Sequence, residues 1–376
     1  MSQPEARPGP FGDVEILDFS RVLAGPLATM LLADFGANVV KVERPGGGDD
    51  TRAWGPPYDS AGDATYFQSV NRNKTSIILD LDRPADCEEA RRLAERADVV
   101  VENFRPGVME RFGLGYEALT ASNPRLVYCS ISAFGRGLGA ERPGYDLLIQ
   151  AMGGLMSITG SPGGEPQKVG VALVDVLAGI FASFGIAAGL RHRDRTGEGQ
   201  HIDISLLLAL LASLANQAAA WTIAGQTPRQ LGNDHPSVTP YGLLKTADGE
   251  LVVAVGTDRQ FATFCEVLGA PGVADDARFS TNAARVAHRE ELRVELESRL
   301  KTRSASEWAR ELSERRVPAG TVNDIALAFD LARDLGLDPI VEIPREDGDV
   351  VRLTRNPVGM SVTPATYRLP PPRFPG

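Results

Sequence analysis

The chain is poor in the side chains that most often mark a site. Its 376 residues hold three cysteines, four histidines and only 6% aromatics. Cys87, Cys129 and Cys265 are odd in number, far apart and in no CxxC pattern. Neither a disulfide framework nor a zinc cage is expected, and a reducing cytoplasm suits such thiols. His192, His201, His235 and His288 show no HxxxH spacing, so no metal site is expected either. Positive charge is also in deficit: 39 Lys and Arg against 49 Asp and Glu give a net charge of −10. That sign opposes a surface that tracks a polyanion, and no nucleic-acid partner is expected. There is no GxSxG elbow and no glycine directly before a lysine, which removes the serine-hydrolase and Walker fingerprints. Residues 1–14 contain no apolar run, so no signal peptide is expected.

What is present is ordinary for a globular chain, with 43% hydrophobic and 23% charged residues, and a surplus of glycine (39) and proline (26). At about 150 residues per domain, the length predicts two to three domains. Residues 171–190 and 206–225 are each about 20 residues long and mostly apolar, which is long enough for a bilayer. Asp175 interrupts the first and Asn216-Gln217 the second, and both are rich in Ala and Gly. Helices buried in a core or a subunit interface are therefore expected, rather than membrane spans.

Strand patterns at 14–19, 38–43, 75–81, 98–102 and 126–132 alternate with helical ones at 23–35 and 84–96, with Ser20 as the expected N-cap of the first helix. This alternation predicts an α/β fold, a Rossmann-like large domain whose mostly parallel sheet binds its ligand beyond the carboxyl ends of the strands. Residues 1–225 form its N-terminal part. A smaller α+β domain is expected over 226–322, with a strand at 251–255 and helices at 260–268, 285–300 and 304–315. Residues 323–376 then return to the large domain through short strands at 340–343 and 350–354 and a proline-rich tail from 364.

The first turn, Ser20-Arg21-Val22-Leu23-Ala24-Gly25-Pro26, has one glycine and lacks the GxGxxG of dinucleotide enzymes. The second strand nevertheless ends in Glu43-Arg44, followed by Pro45-Gly46-Gly47-Gly48-Asp49. An acid there can hold a ribose and the arginine a phosphate, although a solvated charge pair before a turn is equally in keeping with the pattern. Asp175 stands alone in an apolar run just after the glycine pairs 153–154 and 163–164. Burying an unpaired carboxylate is costly, so such a residue caps a helix, pairs or works. As a nucleophile it would attack an activated acyl group, with flanking glycines opening backbone N–H groups to the oxyanion.

Five ordered segments carry a resemblance. Residues 14–50 (VEILDFSRVLAGPLATMLLADFGANVVKVERPGGGDD), 101–107 (VENFRPG), 144–160 (GYDLLIQAMGGLMSITG), 169–179 (VGVALVDVLAG) and 196–206 (TGEGQHIDISL) resemble the family III CoA-transferases, also called the CaiB/BaiF family. The likeness continues through Ala247-Asp248-Gly249, Val255-Gly256 and Ala277-Arg278-Phe279 and spans nearly the whole chain. It implies an interlocked homodimer in which the two apolar segments are buried. It also implies that acyl-CoA and a free carboxylic acid are the substrates, with no permanently bound cofactor and no metal. Asp175 matches the catalytic aspartate, which passes through a mixed anhydride and an aspartyl-CoA thioester. Arg44 and Arg111 match basic contacts to CoA, and Val22, Leu79 and Asn103 match positions along the adenine and pantetheine path.

The resemblance extends to α-methylacyl-CoA racemases, whose proton relay uses a histidine where this chain has Tyr145, in Gly144-Tyr145-Asp146, and a glutamate near Asp258. A tyrosine titrates near pH 10 in solution and is a poor base at neutrality, so transfer is favoured over racemisation and Tyr145 becomes a candidate substrate contact. A silent CoA-binding protein is the alternative from another class. Leu23 replaces the glutamine of formyl-CoA transferases, and His235 to Tyr241 replaces their glycine run, which speaks against an oxalate and formyl-CoA pair. Arg72 and Arg136 are candidates for holding a second carboxylate of the acid.

Overall fold

The computed structural model describes residues 9–374, which fall into two compact units. The N-terminal expectation about residues 1–14 lies in large part outside that range. The larger unit comprises residues 9–155, 168–226 and 338–374, and the smaller one 156–167 and 227–337.

Among the described residues, the larger unit is built on six parallel strands: β1 (Glu15–Asp18), β2 (Asn38–Glu43), β3 (Lys74–Ile78), β4 (Val99–Glu102), β5 (Val127–Ser132) and β6 (Gln200–Ser205). Their order is β3-β2-β1-β4-β5-β6 and every pairing is parallel. Chain direction therefore reverses its progress across the sheet between β1 and β4, which opens a crevice beyond their carboxyl ends. The valine-rich strands are buried on both faces, as a covered parallel sheet requires. On one face Ile16, Val39, Val99, Val101 and Cys129 pack with helices α1 (Ala24–Asp34) and α4 (Leu173–Thr196). On the other, Leu17, Val100 and Tyr128 pack with Ala90 and Ala94 of α2 (Pro84–Arg96). Pro84 occupies the start of α2, where its missing N–H costs nothing.

Helix α3 (Asp146–Met152) precedes α4, and α4 is long and apolar enough to cross a bilayer by length and composition alone. It lies instead along α1, so closely that a Cβ on Gly179 would come within 2.7 Å of the Ala24 carbonyl oxygen. The second apolar stretch is two helices, α5 (Leu206–Ser213) and α6 (Ala215–Ala224), bent by 84°. Ala215, in a left-handed conformation with φ 44°, makes the break.

The C-terminal return of this unit, with the hairpin β10 (Ile340–Pro344) and β11 (Val350–Thr354), is fastened at one buried ion pair. Arg72 grips Asp34 through two hydrogen bonds of 2.8 and 2.6 Å and also donates to the Thr354 carbonyl. Asn356 adds a bond of 3.0 Å to the same carboxylate.

The smaller unit holds the antiparallel strands β7 (Tyr241–Lys245), β8 (Glu250–Ala254) and β9 (Ala319–Thr321) and the helices α7 (Asp258–Val267), α8 (Arg289–Leu300), α9 (Ala305–Glu314) and α10 (Ile325–Asp334). Its core is Leu251, Phe261, Phe264, Leu292, Leu296, Trp308 and Leu312. The helix expected over 285–300 is interrupted at His288, and α10 lies over 325–334, where no element was expected. The smaller unit thus runs to Leu337, fifteen residues past the 322 drawn from the sequence, and includes 156–167.

Candidate active site

Loops at the carboxyl ends of β1, β4 and β5 enclose a cavity of about 250 Å3, at the reversal point of the strand order. Arg21 to Ala24 follow β1, Asn103 to Pro106 follow β4, and Ala133 to Gly135 follow Ser132 at the end of β5. Residues 139, 140 and 142–145, with Asp50, Asp175 and Leu206, add to the wall.

The first of these loops is held from three strands at once. The Asp18 carboxylate at the end of β1 accepts the Ser20 N–H (2.9 Å), the Ser20 hydroxyl, the Thr29 hydroxyl (2.7 Å) and the Lys74 ammonium (3.1 Å). Lys41 from β2 donates to the Ser20 carbonyl (2.7 Å) and pairs with Asp49 (2.9 Å), and Asp49 in turn accepts the Val22 N–H (3.2 Å). Asp18, Lys41, Lys74 and Asp49 are all almost wholly buried. Burial works against the Asp18 and Asp49 carboxylates, but the two lysines and the hydrogen bonds outweigh it and hold both below the usual carboxylate range. The network forces Val22 to φ 68°, a left-handed conformation that costs a β-branched residue about 1–3 kcal/mol. Ser20, expected as the cap of α1, is therefore drawn back onto Asp18, and the N-cap position falls to Leu23 without a side-chain bond. Asn103 fixes the other side of the loop: it accepts the Arg21 N–H (2.8 Å) and donates to the Arg21 carbonyl (2.7 Å).

Asp175 is the third residue of α4 and faces the cavity. Among the described residues its carboxylate has no hydrogen-bond or ion-pair partner. The capping role is performed by Asp146 of α3, whose Oδ1 accepts the Val174 and Asp175 N–H groups at 2.7 and 3.3 Å. Gln150 donates to the other Asp146 oxygen at 2.6 Å. Burial first, and the nearby Asp146 second, push the Asp175 carboxyl up to about 7. A carboxyl with that affinity is divided between acid and carboxylate at neutral pH and is a markedly more basic nucleophile than an exposed aspartate.

Of the residues singled out from the sequence, Val22, Asn103, Tyr145 and Asp175 meet on this cavity. Arg44 does not line it, but pairs with Asp50, which does, and donates to the Gly48 carbonyl at 3.2 Å. Leu79 packs beneath the opposite face of the sheet, and Arg111 lies over the Phe112 ring; neither lines the cavity. Arg72 is consumed by Asp34, and Arg136 by Glu110 at 2.5 Å, so neither is placed to take a substrate carboxylate there. Three of the four paired glycines are also spent: Gly153 and Gly154 donate to the Ile149 and Ala151 carbonyls, and Gly164 to that of Ser161. In the smaller unit the Asp258 carboxylate is held by the buried Arg285 at 2.7 Å. Three arginines on the cavity wall were not singled out from the sequence: Arg21 and Arg105, inside the segments that carry the resemblance, and Arg142, just before one. The cap role of Asp146 had a signal, its place in Gly144-Tyr145-Asp146, which spacing alone could not connect to α4.

The family model for CoA-transferase family III matches residues 11–375. The succinate–glutarate CoA-transferase of Agrobacterium fabrum is 44% identical over 380 residues, covering 100% of this chain and 95% of its own. The acetyl-CoA:oxalate CoA-transferase of Acetobacter aceti is 40% identical over 361 residues, covering 95% and 91%. Among solved structures, a CaiB/BaiF family protein from Brucella suis superposes with a TM-score of 0.86 at 41% identity, over 98% of this chain and 97% of that one. With a parallel sheet, a crevice at its switch point and a match along the full described length, this chain belongs to CoA-transferase family III.

Proposed function

We propose that the protein moves CoA from an acyl-CoA to a free dicarboxylic acid, with Asp175 as the covalent carrier. The observation that carries this reading is the unpartnered, elevated carboxyl of Asp175 on the cavity wall. An Asp175 oxygen adds to the donor thioester carbonyl, the C–S bond breaks, and CoA leaves as the thiolate from a mixed aspartyl anhydride. The thiolate then adds to the aspartyl carbonyl and expels the donor acid as its carboxylate, leaving an aspartyl-CoA thioester. An acceptor carboxylate repeats both steps in reverse and regenerates Asp175. Each step exchanges one activated acyl group for another, and the reaction requires that water be kept away, because an anhydride hydrolyses. Asp146 holds the start of α4 and so the direction of Asp175. The choice of dicarboxylic acids follows relatives whose names specify glutarate, succinate and oxalate.

Hydroxylamine trapping with mass spectrometry during turnover is the test. An Asp175 hydroxamate, and its absence in Asp175→Ala, is expected; full activity of Asp175→Ala would falsify the carrier assignment. Solvent deuterium entering the α-carbon of a 2-methylacyl-CoA without acyl exchange would instead indicate a racemase. We also infer a homodimer. Ile180 and Phe184 of α4, Leu208 of α5, and Trp221 and Ile223 of α6 are large apolar side chains left exposed, and an interlocked partner would cover them. A monomeric mass in light scattering at micromolar concentration would refute it.

A further inference from the structure

Among the charged groups on the cavity wall, Arg21 is the one whose environment demands a missing anion. Its side chain is half-buried, whereas Arg105 and Arg142 are exposed and solvated. Among the described residues its guanidinium has no hydrogen-bond or ion-pair partner, and rests only over the Phe104 ring, 4.9 Å from the centroid. The three carboxylates that act on it most strongly are committed elsewhere: Asp49 to Lys41, Asp50 to Arg44, and Glu43 to Arg52 at 2.7 Å. Burial and then the neighbouring Arg44 disfavour its charged form, against the pull of Asp50, Asp49 and Glu43. The Asn103 clasp on both sides of its peptide fixes where the side chain starts, so its position is built and not a surface accident.

We infer that Arg21 receives the distal carboxylate of the dicarboxylic acid and so sets the preference for dicarboxylic over monocarboxylic acceptors. This rests on the transfer reading above. The guanidinium fork matches a planar carboxylate through two parallel N–H···O bonds, and the Phe104 ring lies 4.9 Å from its carbon. The cavity of about 250 Å3 that Arg21 shares with Asp175 has room for a small acid. The exposed Arg44, outside the cavity, is left for the phosphates. Arg21 also explains the strained turn that follows it: the loop is pinned at Val22 and Asn103 so that one cation stays aimed inward.

The experiment compares glutarate with pentanoate as acceptors, using acetyl-CoA as donor so that only the acceptor carries a second carboxylate. For Arg21→Gln the ratio of the two kcat/KM values is expected to fall about 10- to 100-fold, the size of a lost charge-assisted pair. Arg21→Lys keeps the charge without the fork, so a smaller fall in the same direction is expected; it serves as the test if the glutamine variant does not fold. A preserved ratio with a raised KM for acetyl-CoA would assign Arg21 to a CoA phosphate and overturn the inference. So would an equal loss with both acids. A wild-type protein that shows no preference for glutarate overturns the dicarboxylate reading itself, whereas a preference that survives in both variants overturns only the role of Arg21.

Discussion

Two groups of aspartates flank the same crevice, and they behave oppositely. Asp18 and Asp49, under the loop after β1, are almost completely buried, yet stay charged because Lys74 and Lys41 lie within 3.1 and 2.9 Å. Asp175, across the cavity, is less deeply buried, meets no cation, and has another carboxylate for a neighbour. Depth of burial therefore does not decide which acid becomes reactive; compensation does. The chain spends its internal cations on the residues that hold the loop and leaves the reactive one unpaired. Glu102 at the end of β4 belongs with Asp175 in this respect, pushed up to about 7 mainly by burial, but it accepts the Phe104 N–H at 2.9 Å and serves the loop, not the cavity.

The contrast can be broken from either side. The largest effect is expected at Asp175: Asp175→Asn should lower kcat/KM by about ten-thousand-fold or more, as loss of a covalent group does. The same variant should be more stable than the wild type at alkaline pH. The native carboxyl holds its proton up to about 7 while the unfolded chain releases it near 3.8, as a free aspartate does, so wild-type stability falls as pH rises through that window. Thermal midpoints of the pair that stay parallel between pH 4 and pH 8 would sink that account.

On the compensated side, Lys74→Met leaves Asp18 buried without its closest cation and should cost about 3–5 kcal/mol in denaturant unfolding. A loss under about 1 kcal/mol would mean that Lys41 and the hydroxyls suffice. Gly48→Ala should cost about 1–3 kcal/mol, because Gly48 is at φ 69° and a Cβ there would stand 2.3 Å from the Glu43 carboxylate. Glu43 also accepts the Asp49 N–H at 2.9 Å, so a loss of activity should accompany the loss of stability. The smallest effect concerns Asp146. Since attack needs the carboxylate, kcat/KM should fall as pH drops through about 7, and Asp146→Asn should move that fall to lower pH while its oxygen still caps α4. The movement is partial because burial, the larger cause, remains; an unmoved or raised midpoint in the pH profile would show that the two carboxyls are not coupled.

Much of this was legible along the chain. The alternation from 14 to 132 placed the first five strands and the helices α1 and α2, because periodic burial is written in consecutive residues. Strands β6 and β7 and helix α10 were not foreseen: β6 is partly open and polar, and α10 is short and leaves Ile325, Leu331 and Leu335 exposed, so neither has the burial pattern expected of its type. At the site, Asp175 stood out as an acid in an apolar run, and Val22 and Asn103 came with the motifs. Arg72 illustrates the opposite case: as a sequence feature it is an arginine near a family segment, but Asp34, 38 residues away, and the Thr354 carbonyl claim it.

The order of strands and helices, the apolar faces that cover the sheet, and membership of the family follow from the sequence, since each depends on spacing or on short segments. The tertiary structure alone decided which charges are neutralised. Asp18 meets Lys74 across 56 positions and Asp146 reaches the Asp175 peptide across 29, so whether a carboxyl is a fastening or a nucleophile is settled by neighbours that the chain brings together only when folded. A pKa and an unpaired guanidinium are properties of surroundings, and surroundings are what folding supplies.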